Sequence, residues 1–420
     1  MQKERIVLLN LIKEALQEEP VQQGIWQEAG KISSNHKHTT SGQTAVDALT
    51  IESALWCNII RLAREHAVLP LLYNVLAERD DIPKELWEQS EQQSRKIVAR
   101  GYRFLFLDKY ITELLGAQGI TAITLKGLVT ATRYPVPELR KAGDIDILVT
   151  DEADFKEACD ILVQEGFRME SMQHSQHHTE FANPEGIVVE LHGMLAEPFS
   201  DAQVNQFLKE LLPEYTKTAS DNTYWGVTLK EPAPAYHAFY LILHMLQHFL
   251  RAGFGLKNLC DWVVFWNQGM SEAEQQLFAS FLKQSKTEGF VRILTAACVR
   301  YLGLRKEQVE FLHPETVSRG VIDEFIVEIF ESEEFGKADK ERMVAVEGTG
   351  LGAYAKEFHH QMCLNYPKAS RIFLIWPVLW ICTLHQFLKN NRTLRKISSV
   401  AVLKKARKRG KLVEQMRLFQ

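Results

Sequence analysis

No two cysteines stand close enough along this chain to suggest a zinc knuckle, a redox dithiol or a disulfide framework. The six that occur (Cys57, Cys159, Cys260, Cys298, Cys363 and Cys382) are scattered singly, which points to a reducing, cytoplasmic setting. Long uncharged apolar runs are missing as well. Near the N-terminus, Lys3, Glu4, Arg5, Lys13 and Glu14 hem in the apolar stretch Ile6 to Ile12, so no secretory core forms and export is not expected. Ile372 to Leu388 is apolar but short, and Pro377 interrupts it, which argues against a bilayer crossing. Internal repeats and low-complexity tracts are also lacking, apart from a basic C-terminal stretch. What is present is ordinary for a globular protein: 46% hydrophobic and 24% charged residues over 420 positions, enough chain for two or three units.

The net charge of -4 hides an asymmetry. Residues 389–420 hold eleven Lys or Arg against the single acid Glu414, leaving 38 bases against 52 acids elsewhere. A basic tail on an acidic body suits contact with a polyanion, either a membrane surface or RNA; a solvated helix end is the plain alternative. If Ile372 to Leu388 lies in a membrane interface, Lys404, Lys405, Arg407, Lys408 and Arg409 can face anionic lipid, making the protein peripheral at the inner membrane face. A docked core helix competes with that reading.

The spacing predicts an α+β, mostly helical protein. Residues 1–118 read as an N-terminal helical region, with stripes such as Leu55-Ile59-Leu62 and Phe104-Leu107-Ile111-Leu115, broken by the polar stretch Ser33 to Gln43 and again before Pro83. Within 119–230 the period shortens. Ile120 to Leu125 and Ile145 to Val149 read as buried strands, Asp151 as the cap of a helix ending near Gly166, and Thr179 to Ala182 with Ile187 to Leu191 as a hairpin turning at Asn183-Pro184-Glu185-Gly186. This gives a small mixed sheet. From 231 to 388 the helical period returns, through Ala235 to Leu250, Leu256 to Trp266, Ala273 to Lys283 and Phe290 to Tyr301.

Chemistry concentrates in the middle unit. On a strand, side chains alternate, so Asp144 and Asp146 project together while Ile145 and Ile147 enter the core. Carboxylates forced together beside a core call for a cation, and oxygen-only ligands favour magnesium or manganese. Glu190, the one acid in Val188-Val189-Glu190-Leu191-His192, is the third member; three converging acids can hold the two ions of an in-line displacement at phosphorus. A bare D-x-D pair is more often a set of strand-end polar residues, but here the flanking residues matter. Gly127 lets the backbone approach closely, so that N–H groups of the following helix can cradle phosphate, and Lys126 or Arg140 can neutralise its charge, with salt-bridge roles as the alternative for both.

Lys126-Gly127, Tyr134-Pro135, Arg140 and Gly143-Asp144-Ile145-Asp146, followed by Glu190-Leu191-His192, together resemble the uncharacterised type 5 nucleotidyltransferase family of the polymerase-β-like superfamily. The resemblance runs from about Leu55 to about Phe265, taking in Arg64 and His66 upstream and His244, His248 and Asp261 downstream. Lys126-Gly127 stands where related enzymes carry a G-[GS] turn, and the loop to Asp144 is longer than usual. The resemblance implies a nucleotidyltransferase core, an NTP substrate, a phosphate-side role for Gly143, and a place for His192 beside metal or phosphate. On the helix Ala235 to Leu250, His237, Leu241, His244 and His248 share a stripe; His244 and His248, with Lys257 and Asp261, are read as completing the nucleotide pocket, against core histidines or a di-histidine metal site. His174, His177 and His178 form a further cluster without a role, and zinc is unattractive there because the cysteine partners are missing.

The expected reaction is transfer of NMP from a magnesium-bound NTP to an acceptor hydroxyl, with pyrophosphate leaving. Asp144, Asp146 and Glu190 serve as catalytic and metal ligands. A small molecule or peptide is the preferred acceptor, because the body lacks a basic, aromatic groove; an RNA end or another protein is the alternative. A phosphotransferase using the γ-phosphate, and a catalytically silent nucleotide- or membrane-binding scaffold, are the rival classes.

Overall fold

Apolar residues at three-to-four spacing build helices on both sides of a short stretch of sheet, giving an α+β fold that is mostly helical. The computed structural model describes residues 1–17, 53–169, 178–251, 253–332, 351–390 and 409–419. The polar stretch Ser33 to Gln43, His174, His177 and residues 391–408 of the basic tail lie outside the described residues.

Helices α1 (Lys3–Gln17), α2 (Ser53–Glu65), α3 (Tyr73–Ala77) and the long α4 (Lys84–Ala117) precede the sheet. The sheet segment runs β1 (Ile123–Thr124), α5 (Lys126–Ala131), β2 (Ile145–Leu148), α6 (Glu152–Gln164), β3 (Arg168–Met169), β4 (His178–Ala182) and β5 (Val188–His192). Its strands lie in the order β1-β2-β5-β4-β3; β2 and β5 are parallel and the other neighbours antiparallel, so the sheet is mixed. The extended run read at Ile120 to Leu125 narrows to Ile123–Thr124, which pair with Leu148 and Ile147, while Leu125 adds one bond from its amide to the Asp146 carbonyl before α5 begins.

Local chemistry explains several boundaries. Asp151 accepts hydrogen bonds from the Ala153 and Asp154 amides at 2.8 and 3.1 Å, capping α6. The β4–β5 reversal closes through the Asn183 side chain, which accepts from the Ile187 amide at 2.7 Å, while Gly186 takes the left-handed conformation the turn needs. Two elements in this region carry no clear sequence signal: α7 (Ala202–Thr218), which contains Pro213, and the hairpin β6 (Ser220–Tyr224) with β7 (Val227–Glu231). Trp225 and Gly226, both at positive φ, make its two-residue turn.

Helices α8 (Pro234–Leu250), α9 (Leu256–Asn267), α10 (Glu272–Ser285), α11 (Glu288–Tyr301) and α12 (Arg319–Phe330) follow, then α13 (Leu351–Asn365) and α14 (Trp376–Asn390). Two clusters of buried residues result. One joins the far half of α4, the sheet and α6, with Ile145, Ile147, Val189 and Leu191 meeting Phe104, Ala158 and Leu162. The other joins α1 and α2 to α8, α9, α11 and α12, so helices from both ends of the chain share a core. Each fully buried aliphatic side chain contributes about 2 kcal/mol of transfer free energy.

Two C-terminal features correct the sequence reading. Arg409, grouped there with the lipid-facing charges, is buried, 2.7 Å from Glu328 and donating to the Phe249 carbonyl. The helical stretch it opens is seated by Leu412, Val413 and Met416, and a Cβ on Gly289 would collide with the Met416 carbonyl. An unpaired buried guanidinium would be costly, so Glu328 decides the matter. The second correction concerns Ile372 to Leu388, read as a docked core helix or an interfacial one: among the described side chains of α14 only Leu379 and Thr383 are buried, so it is not a core helix.

Candidate active site

The parallel pairing of β2 with β5 sets Asp146 opposite Glu190, and Asp144 lies two residues earlier on the same face. Asp144, Asp146 and Glu190 each offer a carboxylate oxygen, and these atoms lie within 4.8 Å of one another. The neighbouring aliphatic residues face the opposite way, into the core under α4 and α6, so alternation alone delivers all three acids to the side facing α8.

Two cations crowd one oxygen of this group. Lys126 Nζ lies 3.0 Å from Asp146 Oδ1 and 3.7 Å from Asp144 Oδ2, and His192 Nε2 lies 3.1 Å from the same Asp146 Oδ1 and 3.4 Å from Glu190 Oε2. Asp146 Oδ2 is buried and accepts no hydrogen bond. Burial works against a charge on Lys126, but the three carboxylates outweigh it and raise its pKa. Burial likewise opposes the imidazolium of His192, yet its hydrogen bonds to Asp146 and Glu190 carry the pKa up to about 9. Glu190 is the converse case: burial favours its neutral form, but His192 and Lys126 hold it well below the usual carboxylate range. Asp144 is pushed up by burial and by the charges of Asp146 and Glu190, against Lys126.

The residues present fit a divalent cation. An orphaned, buried carboxylate oxygen beside two further carboxylates is an all-oxygen donor set with one lone-pair site unclaimed, which suits a hard ion. A second group, His178, Glu190 and His192, also brings its ligand atoms within 4.8 Å, His178 standing opposite His192 across the β4–β5 pair. The His178 ring is 5.2 Å from that of His192, and burial lowers its pKa to about 4.

Beside the acids opens a cleft between the sheet segment and the helices. Lys126, Gly127, Arg140, Gly143 and Asp144 form one wall; His244 from α8 and Lys257, Asn258 and Asp261 from α9 belong to the other. Gly127 sits at φ 41°, ψ -105°, a conformation closed to residues with a Cβ, and α5 begins at its neighbour Lys126. Gly143 leaves room for Lys257, whose Nζ lies 3.9 Å from where a Cβ would be. His244 Nε2 is 3.2 Å from Lys126 Nζ.

Other residues of the sequence-read set find partners of their own. Arg140 and Asp261 bind each other through two bonds of 2.7 Å, and Tyr134 donates to the same Asp261 at 2.6 Å. His248 lies behind His244, their rings 4.3 Å apart, and His237 pairs with Thr130 at 3.1 Å, outside the cleft. His66, upstream, packs on Phe330.

Sequence reasoning missed three contributors. Tyr134 was visible only as part of a motif. Tyr240 packs edge-on against His192, and the charges of Asp146, Glu190 and Asp144 add to burial in raising its pKa. Asp108, fully buried on α4, accepts from Thr124 Oγ1 at 3.2 Å, and burial together with the charge of Asp146 lifts its pKa to about 7. An acid on the buried stripe Phe104-Leu105-Asp108-Ile111-Leu115 was the signal available for it.

A small mixed sheet carrying clustered acids and roofed by helices is the form of a nucleotidyltransferase-like protein. The chain belongs to the family described as uncharacterised nucleotidyltransferase, whose model matches residues 52–303. Among solved structures, an antigenic nucleotidyltransferase-like protein from Paracoccidioides brasiliensis is similar over 48% of this chain and 93% of its own, at 16% identity and a TM-score of 0.29, too distant a likeness to argue from. No curated protein matches.

Proposed function

We propose that this protein transfers a nucleoside monophosphate from an NTP to an acceptor hydroxyl, releasing pyrophosphate. The reading is carried by the convergence of Asp144, Asp146 and Glu190 around an unclaimed carboxylate oxygen. Magnesium or manganese ions held there would polarise the phosphate and acidify the acceptor hydroxyl.

The chain's own residues do the remaining work. Asp144 and Asp146 orient the triphosphate through shared ligands, and Asp146, the most buried, fixes the geometry. Glu190, whose carboxylate is held strongly ionised, is a weak base, so the reading gives it a ligand's role more than a proton acceptor's. Lys126 and Lys257, on opposite walls of the cleft, offset the charge of the phosphates and of departing pyrophosphate. Arg140, on the wall of Lys126, holds Asp261 on the wall of Lys257 and so sets the spacing of the two. His192 bridges Asp146 and Glu190 and keeps their side chains in register. A small molecule or peptide acceptor is preferred.

The test incubates purified protein with α-labelled NTPs, magnesium and candidate acceptors, beside an Asp144→Asn/Asp146→Asn variant. Label transfer with pyrophosphate release is expected from the parent, with a loss of at least about a thousandfold in the variant, as removal of essential transition-state stabilisation implies. Transfer that survives the double substitution would refute the assignment, and release of nucleoside diphosphate would place the reaction with the phosphotransferases.

A further inference from the structure

Among the described residues, helix α14 and the segment that leads into it from α13 leave a row of large apolar side chains uncovered. Ile372, Phe373 and Leu374 are 54%, 67% and 74% exposed, and Val378, Ile381 and Leu384 are 59%, 69% and 48% exposed. Leu374, Val378, Ile381 and Leu384 recur at spacings of four, three and three, which places them in one outward stripe. A contiguous apolar strip of this kind marks an interaction surface, since single exposed apolar residues need no explanation but rows of them do.

The stripe is held in place from behind. Trp376 donates its indole N–H to the Ser370 carbonyl at 2.6 Å, Trp380 donates to His359 of α13 at 3.2 Å, and Leu379 and Thr383 face inward. On the other side, α13 meets the body: Glu357, His360 and Leu364 share a cleft with Gln247 and Arg251 at the end of α8, the helix that carries His244 and His248. The stripe is therefore an external face of a secured helix pair.

Charge indicates what would cover it. From Phe358 to Val413 the sequence contains no Asp or Glu and twelve Lys or Arg, of which Arg409 is taken up by Glu328 and eleven remain. Lys368 and Arg371 precede the stripe, and Lys389, Arg392, Arg395 and Lys396 follow it. A second copy packed stripe against stripe would set these cations against their own counterparts, and an RNA would leave the aliphatic residues in contact with water. A lipid surface with anionic headgroups satisfies both features, taking the aliphatic stripe below the headgroups and the cations at their level. Among the described residues no helix is long and apolar enough to cross a bilayer, so the contact is lateral.

We propose that residues 372–384 lie in the interface of an anionic membrane, holding the protein on its surface. This is independent of the nucleotidyl-transfer reading. The test floats full-length protein with vesicles of phosphatidylcholine alone or mixed with phosphatidylglycerol. Binding to the mixed vesicles is expected, weak on the neutral ones, and reduced at least about tenfold by Leu374→Glu/Val378→Glu/Ile381→Glu or by high salt, where screening shortens to about 3 Å. Because the three substitutions are outward-facing, unchanged far-UV circular dichroism serves as the folding control; the charge variant Lys389→Glu/Arg392→Glu/Arg395→Glu, expected to lose the preference for anionic vesicles, provides a second route. Absence of vesicle binding by the parent, or unchanged binding by both variants, overturns the proposal. So does light scattering that shows a dimer abolished by the triple substitution, or RNA retention without vesicle binding.

Discussion

Replacing Asp108 by Asn tests how the sheet tolerates a carboxylate buried behind the acid cluster. Asp108 is fully buried, its Oδ1 takes only the 3.2 Å bond from Thr124, and its Oδ2 has no partner. Burial first, then the charge of Asp146, lifts its pKa from 3.8 to about 7. The sign follows from proton counting. Between those values the folded protein keeps the Asp108 proton and the unfolded chain has released it, so stability falls as pH rises across that window, and the whole loss is present above pH 7. Three pKa units correspond to about 4 kcal/mol. The amide that replaces the carboxyl keeps an acceptor for Thr124 and has no such proton to lose. The variant should match the parent near pH 4 and exceed it above pH 7, by a melting-temperature difference on the order of 10 °C for a unit of this size. Thermal melts of both proteins in metal-free buffer at several pH values give the difference directly, and groups common to both cancel. A difference that stays flat with pH would refute the reasoning.

Lys126→Met removes a buried cation that lies 3.0 Å from Asp146, and leaves the three acids with His192 as their nearest counter-charge; the variant should melt lower than the parent in chelator, by the equivalent of about 3 kcal/mol, and gain more from added magnesium. No gain in either protein would show that the acids hold no ion, and equal gains would show that Lys126 does not compete with one. Arg140→Ala strands Asp261, which keeps only Tyr134 as a donor, and a loss of about 3–5 kcal/mol in denaturant unfolding is expected; less than about 1 kcal/mol would mean that water replaces the guanidinium.

Where a single physical rule governs a segment, the sequence is readable. The 3.6-residue period marks α8 to α11 to within a residue or two, because their buried stripes are continuous. Strand alternation places Asp144 and Asp146 on one face, and the Pro-Glu-Gly reversal returns β5 so that Glu190 can stand beside them. The missed elements break those rules. Strand β6, Ser220–Tyr224, is polar and largely exposed, so it shows no apolar alternation, and Pro213 inside α7 reads as a breaker although the helix continues through it. The arrangement of the cleft depends on tertiary pairing, which no local pattern encodes: Arg140 and Asp261 are 121 residues apart, and nothing near either names the other. Arg409 misleads for a related reason, since it reads as one of eleven basic residues meeting a polyanion or solvent while Glu328 waits for it in the core.

The Arg140–Asp261 clasp also spans the cleft. It fastens the loop ahead of β2 to helix α9 with two short bonds, and Tyr134 adds a third strut, so the opposing walls are tied directly to each other. Lys257 fills the space that the missing side chain of Gly143 leaves open, its Nζ 3.9 Å from where a Cβ would be, so a larger residue at 143 would crowd the ammonium from the opposite wall.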